Sequence, residues 1–234
     1  MSGWWIADAW HTQNGPVVVV SWIVWVIGSI VLHELAHGWA ALRLGDPTPR
    51  ATGHMTWNPL VHMGHMSLIV FLLIGIAWGA MPIDPSRIRG RYGEAMVAAA
   101  GPAMNLALAI VSIVGGGVWM GLAGSVPEPL RTNLLLFLFV GGALNIVLML
   151  LNLIPAPPLD GSRILANFSG GYRRMLMSPN GQWAAFGVLL MVFFFGGDYL
   201  FGRGVHGVGC RFKVIGAVLD SLTGMGISAD SLRL

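Results

Sequence analysis

Residues 17–32 are almost entirely apolar, the apolar character continues to Leu44, and the stretch carries HELAHG at residues 33–38 near its far end. At 1.5 Å per residue, a helix over 17–44 is long enough to cross a hydrocarbon core about 30 Å thick with some tilt. An ionisable residue at the bilayer centre costs about 2.5–3.5 kcal/mol on insertion scales. His33, Glu34 and His37 lie within five positions of this run, so they require a compensating partner. On a helix, residues four apart share a face, so His33 and His37 can bind one Zn²⁺ while Glu34 works on a water beside it. In a soluble helix the same residues would be an ordinary polar face. The apolar setting is what makes the pattern a hydrolase centre inside a membrane segment.

Composition agrees with that setting. Hydrophobic residues make up 55% of the chain, charged residues 10%, and the mean hydropathy is +0.71, too little charge to cover a water-soluble surface. The net charge of +3 comes from scattered arginines and one lysine, Lys213. There is no basic block interleaved with aromatics, which argues against a nucleic-acid partner. Cys210 is alone, excluding an internal disulfide and a thiolate cluster, so a metal must be held by histidine and carboxylate. The opening residues, MSGWWIADAWHTQNGP, lack the basic n-region of a cleaved signal peptide. Tryptophans at 4, 5, 10, 22 and 25 suit an interfacial belt.

In chain order, the pattern predicts an all-α polytopic membrane protein of four to six spans, folded as one domain over 1–234 with a catalytic core at about 17–165. Residues 46–65 are polar and broken by three prolines, and read as irregular or short extended structure near 48–65. The segment 66–81 is apolar but interrupted by Gly75 and Gly79 and barely long enough to span. Spans follow at 94–122, 130–153 and 183–201, and the tail 202–234 has no assigned place.

A catalytic zinc has three protein ligands and one open position. Of the ten carboxylates, Asp160 and Asp198 are the candidates for the third ligand. Asp160 sits in a proline-rich turn after a span, where non-helical backbone can line a cavity; Asp198 lies near the end of a later span. If Asp160 is the ligand, both ends must share one side of the membrane, so one of the segments 66–81 and 94–122 does not cross. The shorter, 66–81, is the candidate for a re-entrant hairpin or half-span. Arg43, Arg50, Arg87, Arg89, Arg91, Arg163, Arg173 and Arg174 then fall on one side. By the positive-inside rule that side, and the active site, is cytoplasmic and the N-terminus extracytoplasmic.

HELAHG, GDPTPRATGHMTWNPLVH, GPAMN at 101–105 and NLIPAPPLDG at 152–161 together resemble the site-2 protease family of intramembrane zinc metalloproteases, in the compact bacterial branch without PDZ or CBS domains. The resemblance covers about residues 30–165 and implies a plasma-membrane protein that cuts peptide bonds in or near transmembrane segments of other membrane proteins. It implies His33, His37 and Asp160 as ligands of one Zn²⁺, Glu34 as general base, and Asn152 as the group that positions the substrate carbonyl. Without it, Asn152 reads as a helix-end residue capping backbone groups. Gly101-Pro102 and Asn105 read as a kink and close-packing site against the active-site helix.

The chain departs from relatives at Met63-Gly64-His65, where an acidic residue and proline are usual, and in AWGAMPID, which lacks the lysine common there. Both departures bear on substrate handling more than on zinc. Candidate substrate or accessory residues are His62, Asn58, Asn105 and His54. His54, His62 and His65 read either as a second metal or gating cluster or as interfacial histidines bonded locally, with His62 the one that fits the family pattern. Residues 48–65 would offer an edge to which an extended peptide could add.

Two rivals stand beside this reading. A non-proteolytic zinc-binding membrane protein, such as a sensor or chaperone-like relative, has no use for a base at Glu34. A metal transporter needs ionisable residues continuing across the membrane, and 94–122 and 130–151 offer only Asn105, Arg131, Asn133 and Asn145 besides Glu94.

Overall fold

The computed structural model describes residues 5–11 and 14–178, with 181, 183, 184 and 187 beyond them. Asp198, the tail 202–234 and nearly all of the expected span 183–201 lie outside the described residues. A short helix α1 (Trp5–Trp10) precedes the long helix α2 (Gly15–Arg43), which starts on Pro16 and carries the HELAH residues in its last third. Proline is tolerated in a first helical turn because the N–H it lacks has no intrahelical partner there.

Helix α3 (Thr48–Ala51) and helix α4 (Pro59–Ile74) follow, then α5 (Gly93–Leu122) and α6 (Leu130–Asn152), and finally α7 (Asp160–Phe168) and α8 (Gly170–Met177). Of these, α2, α5 and α6 are long and apolar enough to cross a membrane. The fold is all-α, with three such spans among the described residues.

Helix α4 is shorter than the three long apolar helices. Its 16 residues would reach only about 24 Å if straight, and non-helical backbone at Gly64 (φ 67, ψ 169) breaks them. After Gly75 the chain returns along α4. The hydroxyl of Ser67 donates to the Trp78 carbonyl at 2.7 Å and accepts from the Trp78 N–H at 2.9 Å, and the Ala80 N–H donates to the His62 carbonyl at 2.9 Å. The two N–H groups that bond α4, those of Trp78 and Ala80, are two residues apart, the alternation of extended backbone. The segment is therefore a hairpin of a broken helix and an extended return.

The expectation of extended structure near 48–65 is corrected. That stretch holds the helical turn α3, an irregular turn and bend over 52–58 that meets the other half of the expectation, and the start of α4, with no strand among the described residues. Pro49 and Pro59 stand in the first turns of α3 and α4, so they open helices where they had read as breakers. The Asn58 side chain caps α4 by accepting from the Leu60 N–H at 3.0 Å.

A buried clasp ties the two ends of this region together. Asp46, fully buried, accepts from the Thr48 N–H at 3.0 Å and the Asp84 N–H at 2.8 Å, while the Arg89 N–H donates to the Leu44 carbonyl at 2.9 Å. Burial alone would raise the Asp46 pKa, but the hydrogen bonds from Thr48 and Asp84 outweigh it and hold the carboxyl below its ordinary value. Within the bundle, Val26, Ile30, Met63, Phe71 and Leu144 form one buried cluster joining α2, α4 and α6. Between spans surrounded by lipid, such contacts act through van der Waals packing, because lipid tails are as apolar as the side chains.

Candidate metal centre and catalytic site

The fold brings His33 and His37 to one point with Asp160, across the end of α2 and the first residue of α7. Asp160 reaches it because α6 ends at Asn152 and the turn through the cis Pro157-Pro158 bond reverses the chain. Gly161 lets α7 tuck beneath that end, since a Cβ there would meet the Ile154 carbonyl oxygen at 2.5 Å and that of Leu153 more closely.

Both histidines are held from behind. His37 Nδ1 donates to the Val97 carbonyl at 2.7 Å, and His33 Nδ1 meets Asn105 Oδ1 at 2.6 Å. A carbonyl can only accept, so His37 carries its proton on Nδ1 and presents a bare Nε2. That Nε2 lies 3.0 Å from His33 Nε2 and 3.3 Å from Asp160 Oδ2, and His33 Nε2 lies 3.1 Å from the same oxygen. Asp160 Oδ2 is buried without a conventional hydrogen bond.

These atoms fit a zinc ion. A tetrahedral ion bonded at about 2.0–2.1 Å separates its ligand atoms by about 3.3 Å, close to the spacings observed. Space for the ion is left by Gly101 on α5, where a Cβ would sit 2.5 Å from His33 Nε2 and closer still to His37 Nε2. Gly101 had read as a close-packing residue; its missing side chain leaves open the gap that both imidazoles face. The GPAMN motif marked Gly101 as a packing residue near the active-site helix, but nothing in it says that two imidazoles meet at that gap.

Glu34, next to the ligands and 7% exposed, lines a cavity of about 400 Å³ with His33, His37, Asn105, Asn152 and Asp160. The extended return closes one wall. A Cβ on Gly79 would meet Glu34 Cγ and Oε1 at 2.8 Å and Ile30 Cγ2 at 2.7 Å. Gly79→Val is accordingly expected to leave zinc bound and cut peptide hydrolysis at least about 100-fold, the scale on which a 1 Å misplacement acts. Zinc content measured beside cleavage rate checks this, and wild-type cleavage by the variant would show that the return does not abut the base.

The remaining candidates divide. Asn152 lines the cavity while its Nδ2 donates to the Leu148 carbonyl at 3.0 Å, which leaves its second amide hydrogen and its carbonyl oxygen for other partners. Asn105 touches a ligand directly. His62 is buried, donates from Nε2 to the Thr56 carbonyl at 2.7 Å, and keeps an unpartnered buried Nδ1 outside the cavity wall. His54 bonds Thr52 beside it, and Asn58 is the α4 cap. Among the described residues, His54, His62 and His65 form no metal-binding group.

Two helical histidines, a neighbouring glutamate and a remote aspartate around one such point define a zinc metallopeptidase centre, here set among membrane-spanning helices. The model of peptidase family M50 matches residues 21–126 and 124–196. YwhC of Bacillus subtilis (strain 168), named as a zinc metalloprotease, is 35% identical over 153 residues, which are 64% of this chain and 68% of that protein. Rip2 of Mycolicibacterium smegmatis, named likewise, is 29% identical over 183 residues, 75% of this chain and 65% of its own. Rip2 of Mycobacterium tuberculosis (strain H37Rv) is 26% identical over 217 residues, 87% of this chain and 79% of its own. No solved structure matches the chain. The chain belongs to peptidase family M50, the site-2 protease family. It is an integral membrane zinc metallopeptidase.

Proposed function

We propose that the protein cuts peptide bonds in or near transmembrane segments of other membrane proteins, with His33, His37 and Asp160 holding zinc and Glu34 acting as general base. The observation that carries this reading is the convergence of those three ligand atoms on one cavity wall that also carries Glu34. Zinc, when bound, polarises the scissile carbonyl and lowers the pKa of water to about 7. Glu34 takes the proton of the attacking water and delivers it to the leaving amine. The free amide hydrogen of Asn152 faces the same cavity and is suited to the carbonyl oxygen as charge develops on it.

A helical substrate hides its carbonyls in hydrogen bonds and must be unwound before attack. The return segment offers a place for the unwound chain. Trp78 and Ala80 spend their N–H groups on α4, while the backbone groups of the alternate residues Gly79 and Met81 have no partner among the described residues. An extended peptide can add along this edge beside Glu34. The arginines at the metal end, among them Arg43, Arg87, Arg89, Arg91, Arg163 and Arg173, support a cytoplasmic site in a bacterial plasma membrane.

The test is zinc content measured together with cleavage of transmembrane peptides by protein purified in detergent. Wild type is expected to hold about one zinc per chain and to cut. Asp160→Ala is expected to lose both, and undiminished zinc in that variant would remove Asp160 from the ligand set. Zinc without cleavage of any membrane peptide by wild type would favour a binding protein.

A further inference from the structure

Behind His33 runs a chain of hydrogen bonds whose far end lies two helices away. Asn105 on α5 places Oδ1 against His33 Nδ1 at 2.6 Å and donates from Nδ2 to Asn145 Oδ1 at 2.9 Å. Asn145 on α6 donates from Nδ2 to the Gly141 carbonyl at 2.9 Å. Both asparagines are fully buried.

The direction of this chain is forced from its backbone end. The Gly141 carbonyl can only accept, so the NH₂ of Asn145 must face it and its oxygen must face Asn105. That oxygen also only accepts, so the NH₂ of Asn105 turns toward it and the oxygen of Asn105 toward His33. His33 must then carry its proton on Nδ1, which leaves Nε2 bare and aimed at the point shared with His37 Nε2 and Asp160 Oδ2. Without Asn145, the amide of Asn105 is free to turn over and present its NH₂ to His33. Nδ1 would then have to accept and Nε2 would hold the proton, closing it to a metal.

We infer that Asn145, which does not contact the metal point, is a positioning residue that fixes the imidazole of His33 in its ligating tautomer through Asn105. The inference rests on His33 being a zinc ligand.

Two variants separate positioning from packing. Asn145→Leu has similar shape and no polar group. Asn145→Asp, buried and hence protonated, restores one donor toward Gly141 and one acceptor toward Asn105. Metal-free protein labelled with ¹⁵N-histidine and reconstituted in detergent reports the tautomer of His33 directly, assigned with His33→Gln. Zinc affinity is read by competition with a chelator.

Wild type and Asn145→Asp are expected to show the proton on Nδ1 and affinities within about threefold of each other. Asn145→Leu is expected to populate the Nε2–H form and to bind zinc about 10–100-fold more weakly, the range found for lost partners of metal-bound histidine. Should Asn145→Leu not fold, Asn145→Ser, too short to reach Asn105, carries the same expectations. An unchanged tautomer in the leucine or serine variant overturns the inference, as does equal loss of affinity in the aspartate variant. If His33→Gln keeps wild-type zinc affinity, the ligand assignment fails instead, and the tautomer of the metal-free protein still decides whether Asn145 sets it.

Discussion

Glu34→Gln is expected to retain wild-type zinc and to lose peptide cleavage by about 10²–10⁴-fold or more, the contribution of a positioned general base. The substitution keeps the size and helix propensity of the side chain and removes only its ability to take a proton. None of the three converging ligand atoms belongs to Glu34, so the metal has no reason to leave. Nor should packing suffer, because glutamine keeps the shape of glutamate where Gly79 abuts it. Zinc per chain and turnover of a transmembrane peptide, measured on one preparation, decide the matter. A variant that still cuts at the wild-type rate would mean the base is another group. One that loses zinc would make Glu34 part of the ligand set.

Gly101→Ala is expected to weaken zinc binding at least about 100-fold, beyond the 10–100-fold that follows loss of a ligand's hydrogen-bond partner. One methyl group would occupy the space between the two imidazoles, 2.5 Å from His33 Nε2. Relief would require α5 to withdraw from α2, which would also part Val97 from His37 and Asn105 from His33. The control lies on the same helix. At Gly115 an added Cβ meets only Leu138, at 3.8 Å, so Gly115→Ala is expected to be neutral or to stabilise by roughly 0.5–1 kcal/mol through helix propensity. Zinc affinity by chelator competition and thermal unfolding in detergent on both variants give the comparison. Wild-type affinity in Gly101→Ala would place the ion away from the gap between the histidines.

Much of the site was legible because its first half is local. The helical repeat alone puts His33 and His37 on one face with Glu34 beside them, and no tertiary contact is needed to see it. Asp160 was narrowed to one of two candidates by counting carboxylates, and the resemblance then pointed to it. The half-span at 66–81 followed from requiring both ligand-bearing ends on one side, a constraint of topology that holds before any packing is known.

Other features were misread or invisible for identifiable reasons. Pro49 and Pro59 suggested irregular or extended structure near 48–65, but a proline in a first turn is as compatible with a helix as with a loop. The extended backbone lies instead after Gly75, in an apolar stretch with no strand signature, because Ser67 and His62 of α4 supply its hydrogen bonds. Asn145 was visible only as a lone polar residue in an apolar span, a sign that a partner exists but not of which one.

The sequence by itself showed the composition of a membrane-spanning chain and a metal-ligating pattern on α2. Those properties depend on hydropathy and on the 3.6-residue repeat, both local. Only the tertiary structure brought Gly101 against both imidazoles, set Gly79 against Glu34, and ran a hydrogen-bond chain from Gly141 to His33. Each of these is a meeting of residues far apart in sequence, set by how closely helices approach and where their buried polar groups find partners, and no periodicity encodes it.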